Sequence, residues 1–394
     1  MEIDQEIESY FNGKDMDLRK TKFSRFMDQK VTPDVLSFIA ECIINLNKSE
    51  FTTSDIWGSD YFEKNTRAVF GKPSPKEESA SHEYDKFIAQ PLRMLDYSGV
   101  LKSSKKGTTY IYSVANPKFL EYISIKERNA FIFIYYYVTK VLKDSDMLRY
   151  FEGFKQRSLS YQAKQEDLKT LKDKFQSFIR GNTPITGNLE INRIFPKILN
   201  IYSHWNNIQG TAKGHLTPYP VIFQDLMYNR TNFRDIGKDK QISRAKAKEI
   251  KIQDIEYTNY IVEKAKDIIR KKYSYSEVRD KDSDDDGFHI HHIFPMNEFP
   301  QFKATLENLI KLTIKQHLSK AHPNGNTQVI NRDYQCTCLL AKSGSIEQSI
   351  KQGEFLYSKE TFINLINVGL NVNLSMSLEF SVIRSEINKI YNHI

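Results

Sequence analysis

The sequence predicts a mainly helical α+β protein in three segments, residues 1–118, 119–280 and 281–394. Three observations predict it. Apolar residues recur at helical spacing through most of the chain, and a strand–turn–strand pattern occupies 99–114. A His-rich alternating stretch near residue 290 precedes a short apolar strand and a helix start. A length of 394 residues is too great for one ordinary core, and 40% hydrophobic with 27% charged residues is a globular composition.

The first segment is read from its helices. Residues 33–46 form an amphipathic helix with Pro33 in its first turn. The run FTTSDIW (51–57) starts a second, with Thr53 or Ser54 as N-cap. After the polar stretch 71–80, a third helix covers 81–97, its apolar positions Tyr84, Phe87, Ile88, Leu92 and Leu95 on one face. Pro91 inside that pattern predicts a kink or break. Residues 99–114 then read as strand, Lys/Gly turn, strand.

That order of helix, helix, helix, hairpin resembles the winged-helix DNA-binding family. The resemblance implies that the third helix enters the major groove and shows it His82, Glu83, Lys86, Gln90 and Arg93, while Lys105 and Lys106 at the wing tip meet phosphate. The same fold also serves protein contacts, in which case these side chains are merely solvated.

In the middle segment, AFIFIYYYV (130–138) is too short to span a bilayer and reads as a buried helix. Residues 159–180 read as an exposed charged helix stopped at Gly181–Pro184, and 207–216 as a loop. The stretch 237–253 gathers Lys238, Lys240, Arg244, Lys246, Lys248 and Lys251. Such a run is a solvated helix face or, beside a nuclease site, a surface for a nucleic-acid backbone. From about 346 the chain is helical again.

The net charge of +8 and pI of about 9.0 favour a polyanionic partner, nucleic acid or an anionic membrane surface. Residues 1–118 hold 17 Lys and Arg against 18 Asp and Glu, so the excess positive charge lies beyond them. Cys42, Cys336 and Cys338 are too few for a four-Cys zinc site or a disulfide framework, which fits a reducing interior. The acidic start has no signal-peptide pattern, so a soluble, cytoplasmic protein is expected, with no membrane partner.

The stretch DSDDDGFHIHHIFP (282–295) carries the chemistry. Its acidic half matches the opening of a calcium loop, but the position that needs a bidentate Glu is Ile293, which excludes that reading. Its second half alternates Phe288, Ile290 and His292 with His289, His291 and Ile293, a strand ended by Pro295. Asn308–Leu312 is a second short strand, and Thr313-Ile-Lys-Gln316 has the form of a capping box that opens a helix bearing His317 and stopped by Pro323. Strand, loop, strand, helix is a ββα unit.

His291-His292-Ile293-Phe294-Pro295, then Asn308-Leu309, then His317, resembles the HNH nucleases of the ββα-metal superfamily over residues 289–322. The resemblance implies His292 as general base, His291 and His317 as ligands of one divalent ion, and Asn308 as the residue that braces the base-bearing loop. The resemblance implies Mg²⁺ as that ion. Imidazole ligands where Asp is frequent suit Zn²⁺, Ni²⁺ or Mn²⁺ better, and the family's frequent Cys pairs are missing here. His289 is a candidate further ligand, although a single extra strand histidine is more often a surface or packed residue; the same reading applies to His322, and 323–327 reads as a loop lining DNA.

The expectation is therefore a site-specific DNA endonuclease, of type II or modification-dependent restriction character, acting on double-stranded DNA as a homodimer or by sequential nicking. Its products would carry 5′-phosphate and 3′-hydroxyl ends. The rival expectations are a DNA-binding regulator with an inactive nuclease module, and a nuclease that acts on RNA or nicks DNA.

Overall fold

Pro33 pre-sets the first turn of a helix that is apolar on nearly every side, and such a helix must be covered by others. The computed structural model describes residues 3–72, 74–77, 83–228, 244–284, 287–322 and 330–392, with backbone alone for residues 83 and 244–254. The chain divides into two compact units, residues 1–253 and 254–394, where the sequence reading has three segments.

The first unit runs α1 (Ile3–Asn12), α2 (Leu18–Thr21), α3 (Pro33–Leu46), α4 (Thr53–Trp57), α5 (Asp60–Phe70), α6 (Glu83–Ser98), β1 (Leu101–Lys106) and β2 (Thr109–Val114). It continues with α7 (Pro117–Ile125), α8 (Glu127–Asp144), α9 (Leu148–Leu159), α10 (Gln165–Asn182), α11 (Asn188–Trp205), β3 (Gln209–Ala212) and β4 (His215–Pro220). α3 buries Val35, Leu36, Phe38, Ile39, Ala40, Cys42 and Ile43 against α6, α7 and α8. Ser37 Oγ donates to Ser124 O at 3.2 Å. Position 118 therefore falls inside one packed core.

The helices and hairpin of residues 33–114 occur in the order read from the sequence, with three differences. The second helix is two, because Thr52 and Ser59 each cap a new start. Thr52 Oγ1 accepts from Asp55 N at 3.3 Å and Ser59 Oγ from Phe62 N at 3.2 Å. The first of those caps is thus Thr52 rather than Thr53 or Ser54. The break expected at Pro91 does not occur. Phe87, Ile88, Leu92, Met94 and Leu95 are all fully buried, and their burial outweighs the roughly 3 kcal/mol that an internal proline costs. Phe51 also joins the hairpin as an isolated bridge, exchanging both backbone bonds with Tyr112 at 2.9 and 2.8 Å.

Elsewhere in this unit α8 is the buried helix expected at 130–138. The stretch 159–180 is not one exposed helix. Tyr161, at φ 57°, separates α9 from α10, and α10 buries Leu168, Leu171, Phe175 and Ile179. Residues 207–216 are not a loop either. β3 and β4 pair across a tight turn of Lys213 and Gly214, at φ 52° and 83°, a left-handed pair that only the second residue adopts without steric cost.

α12 (Arg244–Lys272) runs across the division. The second unit then holds β5 (Phe288–His292), β6 (Leu309–Thr313), α13 (Arg332–Lys351), α14 (Lys359–Leu370) and α15 (Phe380–Asn392). The final helical region begins at 332, earlier than read, and includes Cys336 and the buried Cys338. Lys342 is fully buried. It donates to Glu277 Oε2 at 3.2 Å and Tyr357 Oη at 2.9 Å, an ion pair that ties α13 to the segment before β5. Among the described residues no helix is long and apolar enough to cross a membrane.

Candidate metal centre

The frame of the site is local. β5 and β6 pair antiparallel from Phe288↔Thr313 to His292↔Leu309. At the end of β6 the chain turns through the capping box that the sequence predicts. Gln316 N donates to Thr313 Oγ1 at 3.2 Å, and Thr313 N donates to Gln316 Oε1 at 3.0 Å.

The acidic run ahead of β5 has a structural use. Asp282 pairs with Lys315 at 2.6 Å and with Lys320, and Asp280 pairs with Lys320 at 2.9 Å. Hydrogen bonds from those two lysines hold the Asp282 carboxyl at about 2. Gln316 Nε2 adds bonds to Val278 O and Asp280 Oδ1. The carboxylates thus pin the helix that follows β6. Asp285 and Asp286 lie outside the described residues.

That helix continues as a π-turn, Gln316–Ala321, in which His322 N donates to His317 O at 3.1 Å. Bonding from i+5 back to i places residues five apart on one face, so His317 and His322 project together. Both meet His291. Ring centroids are 5.2 Å apart for His291–His317, 5.0 Å for His291–His322 and 4.8 Å for His317–His322. One ring nitrogen from each lies within 4.8 Å of the others. His291 and His322 are buried and His317 is half-buried.

Three imidazoles with no carboxylate among them fit a transition-metal ion of borderline softness better than Mg²⁺. The electrostatics agree. Burial, then the neighbouring His317 and His322, push His291 well below its ordinary value. Burial, then His322 and His289, bring His317 down to about 4. At neutral pH both rings are uncharged, the form that binds metal.

His292 leaves the strand on the opposite face from His289 and His291. Its Nε2 lies 2.9 Å from Lys303 O. A carbonyl only accepts, so this bond places the proton on Nε2 and leaves a lone pair at Nδ1. Burial, opposed by the Lys303 carbonyl and aided by Lys266, lowers the pKa of His292. A neutral imidazole with a free Nδ1 lone pair can take up a proton.

Asn308 is fully buried. Its Oδ1 accepts from Phe294 N at 2.8 Å, and its Nδ2 donates to Phe294 O at 3.0 Å and Phe302 O at 3.3 Å. One amide therefore clamps both ends of the loop that leads from β5 to Lys303. Gln335 Nε2, donating to Ile293 O at 2.7 Å, fixes the loop from α13.

Of the residues singled out in the sequence, the structure brings His291 and His317 together and places Asn308 across the loop. It adds His322, which the sequence reading leaves as a surface or packed residue. The signal that finds it is the five-residue spacing from His317, which shares a face only when the turn is π. His289 also reaches the group, with Nδ1 at 3.0 Å from His317 Nδ1.

The residues expected to contact DNA are differently placed. Lys86, Gln90 and Arg93 line a cleft of about 340 Å³ whose other wall includes Arg25, Asp28, Glu190 and Arg193. Gln90 Oε1 accepts from Lys30 N at 2.7 Å. Arg93 donates to Asp96 and to Tyr97 Oη, and covers the Tyr110 ring. Gln90 and Arg93 are thus engaged within the chain, whereas Lys86 is exposed. Lys105 and Lys106 are exposed at the hairpin tip beside Gly107. The side chains of Arg244, Lys246, Lys248 and Lys251 lie outside the described residues, as do His82, the Glu83 side chain, Lys238, Lys240 and the loop 323–327.

Compared with known proteins, the chain matches no family model, no curated protein sequence and no solved structure.

Proposed function

We propose that this protein is a metal-dependent endonuclease of the HNH (ββα-metal) type that hydrolyses DNA, with residues 33–114 acting as a winged-helix-like DNA-contacting region. The observation that carries the reading is the convergence of His291, His317 and His322 on one face of β5, whose other face carries His292. His291, His317 and His322 would hold one divalent ion, which when bound supplies a Lewis acid that neutralises charge growing on a phosphoryl oxygen.

The chain's own groups supply the rest. His292, neutral and with Nε2–H committed to Lys303 O, offers Nδ1 as the base that takes a proton from an attacking water. Asn308 holds the loop that carries Lys303 and so fixes the orientation of that base. The net charge of +8 favours a polyanionic substrate. The all-imidazole set favours Zn²⁺, Mn²⁺ or Ni²⁺ over the Mg²⁺ of the resemblance. One such site cuts one strand, so restriction-type cleavage requires a homodimer or two successive nicks.

Incubation of labelled duplex DNA, single-stranded DNA and RNA with the protein, each with Mg²⁺, Mn²⁺, Zn²⁺ or EDTA, tests this reading. The expected result is duplex cleavage that EDTA stops and His292→Ala reduces by at least 100-fold. Cleavage of RNA alone would overturn the DNA assignment. Duplex binding without cleavage under any metal would assign the chain to DNA binding only.

A further inference from the structure

The β5 histidine outside the trio, His289, has a geometry that gives it a defined task. Its Nδ1 lies 3.0 Å from His317 Nδ1, with the two rings nearly perpendicular at 83° and their centroids 4.9 Å apart. That is an edge-on approach suited to an N–H···N hydrogen bond, not a stacked contact. One nitrogen of His317 is therefore already in use, which leaves Nε2 as the atom it can contribute to the trio with His291 and His322.

We propose that His289 is the positioning residue of the metal centre: it accepts the Nδ1–H of His317 and thereby holds that ring in the tautomer whose Nε2 lone pair faces His291 and His322. This rests on the metal-centre reading above and adds to it a second layer.

A neutral imidazole has one proton for two nitrogens. Were His289 the donor, His317 would carry its own proton on Nε2, and the trio would lose a ligand. Proton on His317 Nδ1, lone pair on His317 Nε2, lone pair on His289 Nδ1 and proton on His289 Nε2 is the single neutral arrangement that satisfies both the bond and the ligand. The usual acceptor for a ligating histidine is a carboxylate, a carbonyl or water, and removing it typically weakens metal binding by about 10- to 100-fold. Here an imidazole does this work, from the same strand and the same face as His291. The two-residue spacing of His289 and His291 places both on that face.

The test uses the full-length protein and Zn²⁺, its affinity measured by competition with a chromophoric chelator. Three variants are compared with wild type. His289→Phe keeps a ring of similar size on the strand but has no acceptor. His289→Asn carries an amide oxygen near the place of Nδ1. His291→Ala removes a ligand. ¹⁵N chemical shifts of the histidine rings report the tautomer of His317 directly. The expected result is a 10- to 100-fold weaker site in His289→Phe, recovery to within about threefold of wild type in His289→Asn, and near-complete loss in His291→Ala. His317 in wild type should show a protonated Nδ1.

Wild-type affinity in His289→Phe, with His291→Ala still abolishing binding, would overturn the positioning role and leave the metal centre standing. Loss in both His289 variants as complete as in His291→Ala would make His289 a ligand, which also overturns it. No Zn²⁺ binding by wild type would remove the metal centre itself.

Discussion

His317 and His322 stand five residues apart, yet their ring centroids lie 4.8 Å from each other, because His322 N donates to His317 O at 3.1 Å and closes a π-turn rather than an α-turn. In an α-helix, residues five apart point about 140° from each other. The π-turn converts that spacing into a shared face. His322→Ala should therefore weaken Zn²⁺ binding by at least 100-fold in equilibrium dialysis. Leu318→Ala, a change on the same turn at a side chain that is 38% exposed, should leave it within threefold. Equal affinity in wild type and His322→Ala would remove His322 from the centre.

Asn308 satisfies three backbone groups with one buried amide. Replacement by Ala leaves Phe294 N and O and Phe302 O without those partners, at a cost of about 2–4 kcal/mol. Urea denaturation should show that loss as a lower midpoint with an unchanged slope. Asn308→Asp keeps an acceptor for Phe294 N but sets a carboxylate against two carbonyls, so it should not restore stability.

Gly369 in α14 lies against the Phe294 ring so closely that a Cβ would overlap ring atoms. Gly369→Ala should consequently destabilise the protein by about 1–3 kcal/mol, although alanine is the better helix former. The displaced ring belongs to the residue that Asn308 clamps. Thermal unfolding of Gly369→Ala, Asn308→Ala and the double variant should show non-additive losses.

The histidine cluster makes stability depend on pH. His317 moves from an ordinary value of 6.5 to about 4 through burial and its histidine neighbours, and His291 also falls well below 6.5. Between those values the unfolded chain binds protons that the folded chain does not, so protonation favours unfolding. The stabilisation is complete above about pH 6.5 and is lost progressively as pH falls toward 4. In metal-free protein the urea midpoint should drop from pH 7 to pH 5, and His317→Asn should flatten that drop. A midpoint that is constant, or that rises on acidification, would contradict the buried neutral pair.

The ββα frame is legible in the sequence because each part carries a local signal: two-residue alternation in β5, the Thr313–Gln316 box, and an amide at Asn308 between two apolar runs. The third histidine of the cluster was not legible, since nothing local to residues 316–321 announces a π-turn. The β3–β4 hairpin escaped for a similar reason. Its turn is Lys213-Gly214, not a strong Asn-Gly signal, and Pro218 and Pro220 argue against a strand. The buried face of α6 follows from spacing, with Tyr84, Phe87, Ile88, Leu92 and Leu95 all fully buried. The neighbours of its polar face, Glu190 and Arg193, come from α11, a hundred residues later, and no local pattern reveals that they wall the same cleft. Long-range packing hides from periodicity for this reason.

The central claim is that His291, His317 and His322 form one metal site per chain. Metal content after loading with Zn²⁺ and exhaustive exchange into chelator-treated buffer, measured by elemental analysis on wild type and His291→Ala, tests it most directly. The account predicts one ion per chain in wild type and none above background in the variant. A wild type that retains no metal, or a variant that retains as much as wild type, would contradict it.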